Sequence, residues 1–335
     1  MALRRVTVFG GSGFIGRHLV QRLARRGAVV RVAVRDPEGA GFLKPMGNPG
    51  QVVPMRVNIA DHAGIAAAVE GADAVVNLVG ILHERGRRSF SEVHVNGAGR
   101  IARAAVLAGA RRFVHVSALG ADRASPARYG RSKAAGEATV REAFSGAVVL
   151  RPSVVFGPDD DFFNRFAALA RLSPVLPVIG AMPRLDLRAE GGPRLDLVGD
   201  GGTRFQPVYV GDVADAIMRG LEDEGTAGQT YELGGPEVYR FAELMDLMLA
   251  EIGRKRLLVP MPFWAASVMA AAMELMPVPP LTRDQVRLLR VGNVLSGSAP
   301  GLEALGLSPT AVEAVLPTYL DRFRVFGRFA DRPTA

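Results

Sequence analysis

Short β-branched runs alternate with helical patterns through the first 150 residues, and this alternation narrows the choice of folds more than any other feature. It is typical of β–α–β units, in which a helix connects two parallel strands. We therefore expect an α/β fold built on a doubly wound parallel sheet of the Rossmann type, with its ligand crevice at the carboxyl ends of the strands. The predicted strands are Val6–Phe9, Val29–Val34, Val52–Val57, Ala74–Leu78, Arg112–Ser117 and Ala147–Leu150, and the predicted helices span about 14–26, 61–69, 91–109 and 129–144.

The composition of the sequence changes after Arg151-Pro152. Glycine and proline become frequent there, and long loops separate the helical patterns. This change predicts a Rossmann domain at 1–150 and a smaller C-terminal α/β lobe at 151–335, on the substrate or partner side. Within the lobe, the five residues 183–187 recur as 193–197. One duplication is too short for a repeat fold, so we expect an exposed loop insertion at about 181–202.

The composition excludes several kinds of chemistry. The chain has no cysteine, which rules out disulfides, thiolate catalysis and cysteine-ligated zinc or iron–sulfur sites. Its five histidines show no metal-ligand spacing, so we expect no metal. Any redox chemistry must therefore come from a bound organic cofactor.

The charge is unevenly divided between the two halves. Residues 1–150 carry 22 basic and 10 acidic side chains, a net charge of +12, whereas residues 151–335 carry 19 and 23, a net charge of −4. The first half should therefore attract anions. The arginines stand singly or in pairs without interleaved aromatic residues, so we expect no nucleic-acid partner.

Two features bear on location. The first strand begins at Val6, which leaves no room for a signal or transit peptide and predicts a cytoplasmic protein. The most apolar stretch, Leu257 to Met273, is interrupted by Pro260 and Pro262. The helix that remains is far shorter than the roughly 20 residues needed to span a bilayer, so we expect no transmembrane helix.

A glycine-rich turn follows the first predicted strand and opens the first predicted helix. Gly10, Gly13 and Gly16 have the spacing of a dinucleotide fingerprint. Glycine permits the tight turn, the approach of a pyrophosphate and the packing of helix on strand, and the helix N-terminus favours an anion. The candidate cofactor-binding residues in this segment are Gly10, Ser12, Gly13, Phe14, Ile15, Gly16 and Arg17.

The choice of cofactor should be decided at the end of the second strand. Arg35 stands there, and with Arg17 it could bind a 2′-phosphate through two guanidinium groups. This favours NADP(H). The alternative is NAD(H), with Asp36 accepting hydrogen bonds from the adenosine ribose.

The ends of the third and fourth strands supply further candidates. Asn58 and Ile59 follow the third strand, where a polar side chain can meet the adenine edge. Leu78, Val79 and Gly80 end the fourth strand, and a glycine there allows backbone to pass close to a ligand. Either segment alone is a weak signal.

Tyr129 and Lys133 lie one turn apart at the start of the fourth predicted helix. Only three of the 41 basic residues are lysines, so this pairing is informative. A lysine ammonium can lower the pKa of a phenol and hold a nicotinamide ribose, which would let tyrosine donate the proton in hydride transfer. We therefore predict that Tyr129 and Lys133 are catalytic and also contact the cofactor.

Four motifs resemble the extended and atypical short-chain dehydrogenase/reductase family. They are the glycines at 10, 13 and 16, Tyr129-x-x-x-Lys133, residues 151–158 and residues 206–214. The resemblance implies that Pro152 and Val155 lie against the nicotinamide. It also implies a hydroxyl just past the fifth strand, where this chain has Ala118 beside Ser117, which we keep as a cofactor-binding candidate.

Residues 114–121 and 156–166, together with Arg17, are more similar to one branch of this family, the nucleotide-binding accessory subunit of respiratory complex I. This branch implies a structural or regulatory NADP(H)-binding protein, here a bacterial member, partnered with complex I or the membrane surface and peripheral on the inner face of the plasma membrane. The alternative is an active oxidoreductase or epimerase/dehydratase on a nucleotide-sugar or quinone-precursor substrate.

The segment Pro262–Met276 predicts a helix with one apolar face. Trp264, Val268, Ala271 and Leu275 recur at three- and four-residue steps. The face could dock on a membrane surface or a partner protein, since an amphipathic tryptophan suits an interface. The alternative is that the helix packs into the core of the second lobe.

Overall fold

The computed structural model of the protein describes residues 3–86, 88–186, 194–325 and 327. The chain divides into two compact units. The first comprises Met1–Pro152, Val210–Leu233 and Ser296–Ser308, and the second comprises the intervening segments and the C-terminal one. The chain thus returns twice to the first unit after residue 152, rather than following one boundary at 150.

The strands, in chain order, are β1 (Arg5–Phe9), β2 (Val29–Val34), β3 (Val52–Arg56), β4 (Ala74–Asn77), β5 (Arg112–Val116), β6 (Val148–Pro152), β7 (Val155–Phe156), β8 (Val175–Ile179), β9 (Arg184–Asp186), β10 (Arg194–Asp196), β11 (Arg204–Phe205), β12 (Val208–Tyr209), β13 (Thr230–Leu233), β14 (Tyr239–Arg240) and β15 (Leu257–Met261).

The α-helices are α1 (Phe14–Arg25), α2 (His62–Val69), α3 (Ala98–Leu107), α4 (Arg128–Ala143), α5 (Phe163–Leu172), α6 (Val210–Glu222), α7 (Phe241–Glu251), α8 (Phe263–Met273), α9 (Arg283–Val291) and α10 (Val312–Val315). The helix predicted at 91–109 is compound, because a π-helix at Ser91–Gly97 precedes α3. Short 3₁₀ helices lie at Gly41–Met46, Glu224–Thr226, Glu303–Leu305, Leu316–Thr318 and Leu320–Phe323.

A seven-stranded sheet forms the centre of the described part of the first unit. All its strand pairs are parallel, and the order is β13-β6-β5-β4-β1-β2-β3. The order reverses between β1 and β4, where a doubly wound sheet opens its ligand crevice. The predicted fold class is therefore confirmed, and the sheet gains β13, which the sequence did not predict.

Helices cover both faces of this sheet, as its apolar strands require. On one face, Phe9, Val75 and Phe113 pack with apolar residues of α2, α3 and α4. On the other face, α1 packs with α6. A Cβ on Gly220 of α6 would lie 3.2 Å from the side chain of Val114, so α6 sits directly on β5.

The second unit is built around a cluster of buried aromatic and apolar side chains, which includes Phe156, Phe163, Phe205 and Phe241. The predicted insertion at 181–202 contains an antiparallel pair, β9 and β10, and its residues 187–193 lie outside the described part of the chain. None of the described helices is both long and apolar enough to cross a membrane.

Candidate functional site

The glycine turn after β1 is shaped by close backbone contacts. Gly10 has a φ of +78°, which favours glycine, and a Cβ there would lie 3.3 Å from the backbone of Leu78. A Cβ on Gly16 would lie 2.5 Å from the Cα of Gly11, so α1 packs against its own turn. At Gly13 the one atom of the described residues within 4 Å of such a Cβ, apart from its chain neighbours and its own helix, is the Gly10 carbonyl oxygen, at 3.3 Å. Apart from that tight contact, the space beside Gly13 is open, as a pyrophosphate requires.

The N-terminus of α1 is prepared for an anion. Gly13 is its N-cap, no described side chain caps the helix, and its first turn contains no acidic residue. The first N–H groups of a helix lack intrahelical acceptors, and the helix dipole is positive there. The segment from Ser12 to Ile15 therefore presents backbone donors and positive potential where a pyrophosphate would bind.

The two candidate arginines lie on elements that border this turn. Gly10 donates a backbone hydrogen bond to Ala33 at 3.1 Å, which ties the turn to β2, and the exposed Arg35 follows the end of that strand. The Arg17 guanidinium lies 5.2 Å from the centre of the Phe42 ring. Asp36 accepts a hydrogen bond from the backbone N–H of Gly39 at 3.1 Å, so its carboxylate is engaged in a local turn.

Asn58 is also engaged locally, because its side-chain oxygen accepts from the Ala60 N–H at 3.1 Å. The neighbouring Ile59 packs near Gly97, where a Cβ would lie 2.7 Å from the Ile59 Cδ1 atom. The Asn58 side chain therefore stabilises the loop that follows β3.

The segment that follows β4 passes beside the Lys133 side chain. The Val79 N–H donates to the side-chain oxygen of Asn77 at 3.1 Å, which fixes the path of Leu78 and Val79. A Cβ on Gly80 would lie 3.2 Å from the Lys133 Nζ atom. Glycine at position 80 therefore leaves the ammonium room beside the backbone.

Lys133 is buried, and it donates to the Val116 carbonyl oxygen at 3.4 Å. Burial lowers its pKa to about 8, although the nearby Glu137 acts in the opposite direction. The Nζ atom lies 5.8 Å from the centre of the Tyr129 ring. Burial raises the pKa of Tyr129 to about 12, so the expectation that lysine lowers this pKa is wrong for this arrangement. Burial disfavours the charged phenolate and causes this rise.

His94 completes the surroundings of Tyr129, and sequence reasoning missed it. Its ring stacks on Phe90 with centroids 5.4 Å apart and meets the Tyr129 ring edge-on at 5.5 Å. Its Nε2 atom accepts from the Ile81 N–H at 3.0 Å, so the proton belongs on Nδ1, 2.9 Å from the Ser132 hydroxyl. Burial and Lys133 lower the pKa of His94 to about 3. The neutral ring thus connects the segment after β4 to α4 through these two contacts.

His115 and Ser117 form a buried polar row at the end of β5. The Asn77 amide donates to His115 Nδ1 at 3.2 Å, and burial lowers the His115 pKa to about 3. Within the described residues, His115 Nε2 and Ser117 Oγ have no hydrogen-bond partner. Buried polar atoms are ordinarily satisfied, so this row fits a polar ligand group. Ala118, where the family resemblance implies a hydroxyl, offers none.

The remaining candidates divide between the units. Pro152 ends β6 in the first unit, where its carbonyl oxygen accepts from the Leu119 N–H at 2.9 Å. Val155 belongs to β7 of the second unit, which pairs with β12. Every other predicted cofactor residue belongs to the first unit.

These observations fit a nicotinamide dinucleotide. The open space at Gly13 and the uncapped helix α1 suit a pyrophosphate. The unpartnered Ser117 hydroxyl suits a polar group of the same ligand at the end of β5. The residues that would hold the dinucleotide are those of the glycine turn, Leu78–Gly80, Tyr129 and Lys133. When bound, such a cofactor would supply hydride chemistry.

Comparisons with known proteins agree with this geometry. Residues 6–234 match the NAD dependent epimerase/dehydratase family. The chain is 36% identical over 333 residues to "NADH dehydrogenase (ubiquinone) 1 alpha subcomplex subunit 9, mitochondrial" of Arabidopsis thaliana, covering 96% of this chain and 78% of the relative. It is 36% identical over 181 residues to "Ceramide reductase" of Caulobacter vibrioides, covering 54% of this chain and 55% of that protein.

The fold is also similar to that of a solved Thermus thermophilus UDP-glucose 4-epimerase in complex with NAD. The TM-score is 0.66 at 22% identity, with 96% of this chain and 99% of the other covered. The family match over residues 6–234 and the glycine turn of the first unit lead to the same assignment: the chain belongs to the NAD dependent epimerase/dehydratase family.

Proposed function

We propose that this protein is an NADP(H)-binding structural or regulatory subunit associated with respiratory complex I. The observation that carries the proposal is the alignment of 96% of the chain, at 36% identity, with a mitochondrial NADH dehydrogenase subunit. The site is consistent with a binding role, because the space beside Gly13 and the uncapped start of α1 suit a pyrophosphate while Ala118 supplies no hydroxyl. On this proposal, the protein lies peripherally on the inner face of the plasma membrane.

The preference for NADP(H) over NAD(H) rests on the end of β2. Arg35 is exposed there and Arg17 lies in the first turn of α1, so both guanidinium groups can approach a 2′-phosphate. The acid that would favour NAD(H), Asp36, accepts a hydrogen bond from Gly39 instead. Both features favour the phosphorylated cofactor.

Purification from the membrane fraction of the source organism tests the proposal. Mild detergent extracts should be resolved on a native gel, and the protein should migrate with NADH dehydrogenase activity. Nucleotide released from the purified protein should be NADP(H) by chromatography. A protein that stays in the membrane-free fraction, with no complex I activity alongside, contradicts the structural role.

A second candidate function is an active NADP-dependent oxidoreductase or epimerase/dehydratase. Tyr129 and Lys133 favour it, because they retain the proton donor and the ammonium of the family. The similarity to a bacterial ceramide reductase over 54% of the chain also favours a reductase. Turnover of NADPH with a carbonyl substrate would support this candidate over the first.

A further inference from the structure

Helix α8 presents an exposed apolar face in the second unit. The Trp264 side chain is 70% exposed and that of Val268 is 67% exposed, whereas Ala266 and Ala270 are buried on the opposite face. The apolar run continues past the helix with Leu275, which is 89% exposed. The helix therefore packs into the core of the second unit through Ala266 and Ala270, while its Trp264 face remains exposed.

The strand before α8 also carries exposed apolar side chains. On β15, Leu257 and Val259 point to the same side and are both exposed. Leu257 pairs in register with Val175 of β8, which is exposed as well. We call the six residues Leu257, Val259, Trp264, Val268, Leu275 and Met276 the apolar surface. Large exposed apolar patches usually mark interaction sites.

The charge around the apolar surface differs from that of the rest of the lobe. Residues 254–291 carry six basic and two acidic side chains, a net charge of +4. The other residues of 151–335 carry 13 basic and 21 acidic side chains, a net charge of −8. Lys255, Arg287 and Arg290 are exposed, and the Arg290 guanidinium lies 5.4 Å from the centre of the Phe263 ring. Positive charge is thus concentrated beside the apolar surface.

We propose that the apolar surface and its flanking basic side chains bind the surface of a lipid bilayer that contains anionic headgroups. The inference rests on the proposed function and names the surface that would place the protein on the membrane. A tryptophan suits the headgroup level, exposed aliphatic side chains suit the acyl boundary, and lysine and arginine suit lipid phosphates. A local net charge of +4 in an otherwise acidic lobe favours an anionic surface over a neutral one.

Trp264 is the only tryptophan of the chain, so its fluorescence reports on this surface alone. The full-length protein should be titrated with vesicles of phosphatidylcholine, with and without phosphatidylglycerol. We expect the emission maximum to shift to shorter wavelength with the anionic vesicles, and acyl-brominated lipids to quench it. An unchanged emission with both vesicles, or equal binding to both, overturns the proposal.

Variants that keep the tryptophan test the apolar part. Val268→Asp with Leu275→Asp should weaken partitioning into anionic vesicles at least about tenfold, because two side chains that would leave water become charged. Leu107→Asp is the matched control, since Leu107 of α3 is 88% exposed in the first unit, and it should bind normally. Unchanged binding of the double variant overturns the proposal.

Charge variants test the basic part and do not depend on the apolar substitutions being tolerated. Lys255→Gln with Arg287→Gln should weaken binding to the anionic vesicles about fivefold for each charge removed. The exposed Arg103→Gln on α3 should leave the affinity unchanged. An affinity for anionic vesicles that changes neither with salt concentration nor with these substitutions overturns the proposed preference for anionic lipid.

The vesicle assay and the complex I assay test the two proposals separately. Vesicle binding by a protein that is absent from complex I contradicts only the proposed function. Another outcome is a protein that assembles with complex I, fails to bind vesicles, and no longer assembles once Val268→Asp and Leu275→Asp are introduced. In that case a protein partner binds the apolar surface. That result overturns the lipid assignment.

Discussion

Gly13 is the residue at which nucleotide binding depends on the absence of a single side chain. Its backbone is extended, with φ of −74° and ψ of −179°, which valine adopts readily. We expect Gly13→Val to fold, and to abolish binding of both NADPH and NADH by filling the pyrophosphate space. Calorimetry with each nucleotide measures this, with Gly146→Val in a distant turn as the control. Retained affinity would mean that the glycine segment is only a turn.

Arg17 and Arg35 act on the choice between the two cofactors. We expect the unaltered protein to bind NADPH more tightly than NADH, and Arg17→Ala with Arg35→Ala to erase the difference. The double variant should lose roughly thirtyfold in NADPH affinity and little in NADH affinity, because hydrogen bonds to the 2′-phosphate are charge-assisted. Arg25→Ala, also basic and exposed on α1, should change neither. Equal affinities in the unaltered protein contradict the prediction.

The buried histidines His94 and His115 make the folded protein sensitive to mild acid. Both have their pKa lowered from 6.5 to about 3, so between these pH values the unfolded chain binds more protons at the two histidines than the folded chain does. Their contribution is present above pH 6.5 and is lost as the pH falls toward 3. The loss approaches about 1.4 kcal/mol per pH unit for each histidine.

Urea unfolding at pH 7 and pH 5 should reveal this loss before most carboxylates titrate. His94→Gln with His115→Gln should show a flatter pH dependence over the same interval, whatever its absolute stability. A double variant with the same slope as the unaltered protein would place the acid sensitivity elsewhere.

At the scale of elements, α4 is held to the sheet by a buried ion pair. Arg151 of β6 donates to Glu137 of α4 through Nε at 2.9 Å and through Nη2 at 2.7 Å, and the Glu137 side chain is only 5% exposed. The same helix carries Tyr129 and Lys133, so this pair also positions the site. Hydrogen bonding to Glu137 raises the pKa of Arg151.

Arg151→Met should lower the free energy of unfolding by about 3 kcal/mol, since the buried Glu137 carboxylate loses both of its hydrogen bonds from Arg151. The matched control is Arg22→Met. Arg22 makes a similar two-bonded contact with Asp215, at 2.7 and 3.0 Å, but Asp215 is 46% exposed, so the cost should be about 1 kcal/mol or less. Equal costs for the two variants would show that burial of Glu137 contributes nothing.

At the scale of the whole molecule, the two candidate functions differ in turnover. If Ala118 reflects a binding role, NADPH bound to the protein should remain reduced during long incubation with nucleotide-sugars and quinones. Absorbance of the reduced nicotinamide measures this directly. Rapid substrate-dependent oxidation that Tyr129→Phe suppresses would identify an enzyme, because the phenol would then be the proton donor.

Local sequence patterns were enough to predict the parallel α/β core and the glycine turn. Alternation of strand and helix patterns is a local property, and the spacing of Gly10, Gly13 and Gly16 states the backbone requirement of the turn directly. The strands of the first half therefore lie close to their predicted positions. The exposed face of α8 was also visible as a periodicity, but periodicity does not say whether such a face is covered.

Other features depend on contacts between distant parts of the folded chain. Strand β13 is four residues long and joins the sheet only through pairing with β6, some 80 residues earlier in the chain. His94 became part of the site because a π-helix turns its ring between Ile81 and Ser132. The pKa of Tyr129 rises rather than falls because burial depends on everything packed around the phenol. Non-local pairing and desolvation are properties of the folded chain, and no short stretch of sequence encodes them.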